Sequence, residues 1–176
     1  MEVDVVIKER GFFDVKMNPS SYGFPNNYKV QHSGMVIYDH ASGLKWQQSG
    51  SQHQVSYEEA IKYVNQLNCE RFVGFSDWRL PTVEEAMSLM EPTKMEGKHF
   101  LPVFFGSFSL KEFDVLANAI RKNNLYIDPV FDYKQWIIFT SDTGGYNSGH
   151  WVVDFGYGYC YNNLVFYGNT CVRAVR

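Results

Sequence analysis

The stretch from Gln135 to the C-terminus constrains the fold most. Its runs "QWIIFTSD", "HWVVDFGYG", "YNNLVFYG" and "CVRAVR" are rich in β-branched and aromatic residues and are separated by Gly, Asn and Ser. They read as four short strands joined by tight turns. Helical patterns precede them. In "VSYEEAIKYVNQLN", Ser56 and Glu59 have capping-box spacing, and Ala60, Ile61, Val64 and Leu67 fall on one face. "GFSDWRLPTVEEAMSLM" repeats the box with Thr82 and Glu85 behind Pro81. "SLKEFDVLANAIRKNN" spaces Leu110, Phe113, Leu116, Ala117 and Ile120 for a third buried face. Helices early and strands late specify an α+β fold, with helices packed against an antiparallel sheet.

Upstream, "MVIYDHASGLKWQQ" reads as two strands around a turn at "HASG". Residues 1–34 start with a strand-like "VDVVI" and continue through "MNPSSYGFPNNY" as an irregular arm. The similar "FLPVFF" and "YIDPVFD" are too few and too weak to make a repeat array. With 176 residues, 45% of them hydrophobic and 17% aromatic, the chain has material for a single domain over 1–176.

Charge and motif content remove several function classes. A net charge of -3 without any Lys/Arg-dense stretch speaks against a nucleic-acid partner, which is bound through many phosphate contacts. No run approaches the ~18 apolar residues of a membrane span, so no membrane insertion is expected. "MEVDVVIKERG" lacks the basic and apolar regions of a signal peptide, so the expectation is a soluble chain without a secretion signal. His32, His40, His53, His99 and His150 never share ligand spacing. "TGGYNSGH" is neither a nucleophile elbow nor a phosphate loop. Asp142, Asp154, Asn162 and Asn163 offer oxygens but no calcium-loop spacing. No metal and no cofactor are expected. Cys69, Cys160 and Cys171 read as reduced thiols, with a Cys160 to Cys171 bridge open if their strands are neighbours.

The run "GYGYCYNNLVFYGNTC" stands apart. Trp151, Val153 and Phe155 fit one strand parity, which Tyr157, Tyr159 and Tyr161 continue, so the three tyrosines are either core or display. Tyr, Ser, Gly and Asn are the mixture of antibody binding loops, where Tyr supplies contact area at little rotamer entropy. Between Ser141 and Cys171 there is no Lys, Glu, Gln or Met, although residues 1–140 hold 33 of them. At that frequency about seven would be expected in the segment. Strands and tight turns disfavour these residues in part.

"SGLKWQQ", "SYEEAIKYVNQLN", "GFSDWRLPTVEEAMSL", "WIIFTSD", "WVVDF" and the terminal "VRAVR" occur in an order that resembles the Lcl C-terminal-type domain, over roughly Met35 to Arg176. The resemblance implies a C-type-lectin-like fold in a bacterial or phage module. It also implies kinship with formylglycine-generating enzymes and with the variable proteins of diversity-generating retroelements. In such proteins mutagenesis of adenines, mostly in Asn codons of the form AAC, yields residues such as Asn, Tyr, Ser, Gly, Cys and Phe. It never yields Lys, Glu, Gln, Met or Trp, so Trp151 would be framework. Among the shared motifs, Trp78 and Leu80 are expected in the core and Arg79 in forked hydrogen bonds to carbonyls or a carboxylate. Trp46, Trp136 and Trp151 are expected to anchor strands.

Formylglycine-generating enzymes use a pair of cysteines a few residues apart to handle copper and oxygen. Here Cys171 sits in a comparable place, but Phe166 or its neighbours hold the partner position. One thiol cannot form a two-coordinate site. The expectation is a non-enzymatic ligand-binding, receptor or display domain with an aromatic binding surface, diversified by a retroelement in its sharpest form. That surface comprises Tyr146, Asn147, Tyr157, Tyr159, Tyr161, Asn162, Asn163, Phe166, Tyr167 and Asn169. A protein ligand suits it best and a neutral glycan is second. Sulfated glycans, associated with the collagen-like adhesin relatives, need a basic patch, and after Ser141 only Arg173 and Arg176 are available. The competing readings are a fixed sensory or regulatory module of a larger bacterial protein, and a formylglycine-generating-type oxidase.

Overall fold

The computed structural model of the protein describes residues 3–96, 124–144, 149–163 and 170–176. The elements in chain order are α1 (Val3–Glu9), β1 (Tyr28–Gln31), β2 (Val36–Asp39), β3 (Lys45–Gln47), α2 (Tyr57–Cys69), α3 (Val83–Ser88), β4 (Met95–Glu96), β5 (Asn124–Leu125), β6 (Ile137–Thr143), β7 (His150–Asp154) and β8 (Tyr159–Asn163). They form two three-stranded antiparallel sheets, β1-β2-β3 and β6-β7-β8, and a short β4-β5 pair. The architecture is mixed α+β, as the sequence pattern specifies. Of the expected helix over 109–124, residues 109–123 lie outside the described residues, and Asn124 begins β5.

Both capping boxes form. Ser56 Oγ accepts from Glu59 N at 3.3 Å while Glu59 Oε2 accepts from Ser56 N at 2.8 Å. Thr82 and Glu85 repeat the exchange at 3.1 and 2.9 Å. These contacts satisfy amides that a helix start otherwise leaves without partners. Arg79 forks onto Glu85 with two bonds of 2.6 Å. Burial alone would raise the Glu85 carboxyl, but this fork and the Thr82 amide outweigh it and hold the group below its usual range. Ala60, Val64 and Leu67 bury as expected, whereas Ile61 is 40% exposed, at the margin of the face.

The β6-β7-β8 sheet has a core on each side. On one face, Ile138, Val153 and Cys160 pack with α1, α3, Leu125, Ile127 and Phe131. On the other, Ile137, Phe139 and Val152 pack with α2, Trp78, Leu80, Val172 and Ala174. Adjacent residues thus enter opposite cores, as the two-residue period of a strand requires. Trp46 and Trp78 are buried, and Trp136 and Trp151 are half-buried against the cores.

Two expected strands are corrected. "VDVVI" is helical: Val3 and Ile7, four residues apart, share the face that packs beside α3, while Val5 is exposed. Asp4 in the first turn and Lys8 in the last also suit the helix dipole. Tertiary burial thus overrides the β-preference of a valine-rich run. "CVRAVR" is extended but belongs to neither sheet. Cys171 bridges to β6, Ala174 and Arg176 bond to β3, and Val175 bonds to Arg79, so its backbone groups are shared among three neighbours. Residues 171–175 are buried throughout.

Candidate ligand-binding surface

The site grows from the turn between β7 and β8. Asp154 Oδ1 accepts from Gly156 N at 2.8 Å and Tyr157 N at 2.9 Å, and Gly158 takes a φ of +80°, a conformation suited to glycine. Space requires glycine there too: a Cβ on Gly158 would stand 2.7 Å from the Tyr126 ring and 2.8 Å from Val15. The turn folds "FGYG" into a hairpin that pairs Tyr159 with Asp154 and Tyr161 with Val152.

This hairpin corrects the single parity read from the sequence. Tyr159 and Tyr161 lie on the face of Val152, opposite the face of Trp151 and Val153. The three tyrosines nevertheless form one row. Their ring centroids are 6.0 Å apart from Tyr157 to Tyr159 and 5.6 Å apart from Tyr159 to Tyr161. Tyr157 is 58% exposed, and Tyr159 and Tyr161 are half-buried. Burial pushes the Tyr161 hydroxyl up to about 12, with Asp154 adding to the shift.

The asparagines behave differently. Asn163 is buried, so its expected display is corrected; it pairs with His150 in the β7–β8 ladder. Asn162 is half-buried, and its carboxamide occupies the space that side chains at Gly144 and Gly149 would need. Their proximity to the sheet interior turns both amides from display to packing. Tyr146, Asn147, Phe166, Tyr167 and Asn169 lie outside the described residues.

One wall of the site comes from a segment that motif reading passed over. The Asp14 carboxylate is fully buried and accepts from Lys16 N at 2.8 Å, Met17 N at 2.9 Å and Cys160 N at 3.0 Å. Val15 N also donates to Gly158 O at 2.8 Å. These bonds lash the N-terminal arm to the outer edge of β8 and set Lys16 Nζ 3.4 Å from the Tyr159 ring centroid. The sequence signal was an acid inside the apolar run "GFFDV", a place where a carboxylate needs buried donors.

The remaining candidate groups hold the fold. Asp142 Oδ2 accepts from Val83 N at 2.7 Å, at the start of α3. Arg173 is wholly buried and donates to the carbonyls of Gln47, Gln48 and Asp132, while burial pulls its guanidinium down to about 10. Arg176 forks onto Asp77 at 2.7 and 3.1 Å. Cys160 and Cys171 are buried free thiols, and burial pushes them up to about 12 and about 11. Among the described residues there is no group of three or more His, Cys, Asp or Glu side chains arranged to hold a metal ion. No described helix is long and apolar enough to cross a membrane.

Residues 35–176 match a known family model, that of the Lcl C-terminal domain. No curated protein and no solved structure matches the chain.

Proposed function

The chain belongs to the Lcl C-terminal domain family, and on that premise we propose that it is a non-catalytic binding module of C-type-lectin-like design whose ligand meets the Tyr157–Tyr159–Tyr161 row. The observation that carries this reading is the continuous file of three tyrosine rings at a sheet edge, with Tyr157 open to solvent. A ring row offers large contact area with few rotatable bonds, which suits a protein ligand first and a stacked neutral glycan second. The buried Arg173 and the paired Arg176 favour neither a sulfated glycan nor another polyanion. An oxidase built on Cys171 would need a thiolate, which burial of that thiol opposes at neutral pH.

The segment between Ser141 and Cys171, free of Lys, Glu, Gln and Met, supports retroelement diversification of this surface. DNA around the gene would then carry a near-copy of these codons beside a reverse transcriptase, differing only where the template has adenine; differences scattered over all bases would refute diversification. Binding itself is tested by screening peptide-display and neutral-glycan arrays with the wild type and with a Tyr157→Ser, Tyr159→Ser variant of unchanged circular dichroism. Loss of the wild-type hits is expected, and equal binding by both proteins would overturn the reading.

A further inference from the structure

The surroundings of the tyrosine row indicate the chemical class it accepts. Lys16 Nζ stands 3.4 Å above the Tyr159 ring, and Lys94 Nζ lies 5.2 Å from the ring of Tyr126, which packs against Gly158 of the turn. Among the described residues neither ammonium is in a salt bridge; both are set against aromatic faces. The electron-rich face of a phenol ring attracts a cation, and a planar, weakly hydrated guanidinium fits it best. The segment from Ser141 to Cys171 adds Asp142 and Asp154 but no lysine or arginine, so the cation on the row comes from elsewhere in the chain. Asp14 makes that placement specific by holding the amides of Lys16 and Met17 with the same carboxylate that grips Cys160 of β8.

We propose that the Tyr157–Tyr159–Tyr161 row is a cation-accepting surface that takes an arginine or lysine side chain of a protein ligand, and that Lys16 is the built-in occupant which this side chain displaces. The inference rests on the binding function proposed above and narrows its ligand class. Lys16 is exposed and tethered only through its backbone, so its side chain swings off the ring without disturbing Asp14. While it sits there it competes with an incoming cation. An exposed cation–π contact of ordinary strength would make Lys16→Ala bind a cationic ligand about three- to six-fold more tightly than the wild type.

The test is a titration of protein carrying carbon-labelled tyrosine, followed by ring resonances. The probes are the capped tripeptides acetyl-Gly-Arg-Gly-amide and acetyl-Gly-Glu-Gly-amide, and maltose as a neutral glycan. The arginine peptide should shift the rings of Tyr157, Tyr159 and Tyr161 in the wild type, bind more tightly to Lys16→Ala, and lose affinity for Tyr159→Leu while keeping it for Tyr159→Phe. If Tyr159→Leu does not fold, the Lys16→Ala comparison decides alone. Preferential shifts with the glutamate peptide, or weaker arginine binding by Lys16→Ala, overturn the proposal. Shifts with maltose alone overturn the cation class but leave the row as a binding surface. Absence of ring shifts with every probe overturns the cation proposal, and the array screen then judges the binding function separately.

Discussion

Asp154 offers a prediction whose size follows from its surroundings. It is 1% exposed, on the same sheet face as Tyr159 and Tyr161, and its carboxylate anchors the turn that carries Tyr157. Burial raises its pKa from the ordinary 3.8 to about 6, against the pull of the Gly156 and Tyr157 amides and of Lys94 and Lys16. A carboxyl with a raised folded-state pKa holds its proton more firmly in the native protein than in the unfolded chain. Stability from this group is therefore greatest at low pH and falls as pH rises through the interval from 3.8 to about 6. The gap corresponds to about 3 kcal/mol in all, of which about 2 kcal/mol lies between pH 4 and pH 7. Asp154→Asn keeps an oxygen that accepts from both amides and removes the titration. Denaturant unfolding of the two proteins from pH 4 to pH 7 should show the Asn variant gaining on the wild type by about 2 kcal/mol as pH rises. Other titrating groups cancel in that difference. A flat difference, or one that favours the wild type increasingly toward pH 7, would refute the reasoning.

The other predictions concern the arm and the buried cation. Asp14→Ala leaves three amides near β8 without their acceptor and should cost about 2–4 kcal/mol in denaturant unfolding; a cost under about 0.5 kcal/mol would show that the arm is not tied to the sheet as described. Deleting residues 1–18 removes Val3, Ile7, Phe12 and Phe13 from the core of α3 and the β6–β8 sheet, and should abolish a cooperative melting transition even though the family match starts at residue 35. Arg173→Ala should lower stability by more than about 3 kcal/mol, because the carbonyls of Gln47, Gln48 and Asp132 lose their shared donor inside the protein. Retention of the wild-type melting temperature by that variant would contradict the buried staple.

The parts of the fold that were legible in the sequence are those decided locally. Ser56 with Glu59 and Thr82 with Glu85 announce helix starts, since the bonds that make them span only three residues. The runs "QWIIFTSD", "HWVVDFGYG" and "YNNLVFYG" announce strands through composition and turns; β6 and β7 form within the first two, and β8 starts at Tyr159, two residues before the third. What escaped depends on distant partners. "VDVVI" chose a helix because Val3 and Ile7 found a core beside α3, which begins at Val83, far along the chain. "CVRAVR" failed to become a regular strand because its amides and carbonyls are divided among β3, β6 and the Arg79 segment.

The candidate site divides along the same line. The tyrosines were conspicuous as residue types, but their parity was misread because a turn held by one buried carboxylate reverses the chain between Phe155 and Tyr159. Asn162 and Asn163 shared the composition of a display surface, yet glycines at 144 and 149 opened a pocket for one of them and the sheet covered the other. Lys16 had no local signature whatever: its position over Tyr159 follows from Asp14, and the role of Asp14 follows from the amide of Cys160, 146 residues away. The aromatic part of this surface is therefore written in the segment that carries it, while its charge is supplied by an arm that precedes the family domain. A change in the arm would retune the surface without touching a single tyrosine, and that separation is what makes Lys16→Ala an informative substitution: it alters the electrostatics of the row while the rings, the turn and the ladder beneath them keep their contacts.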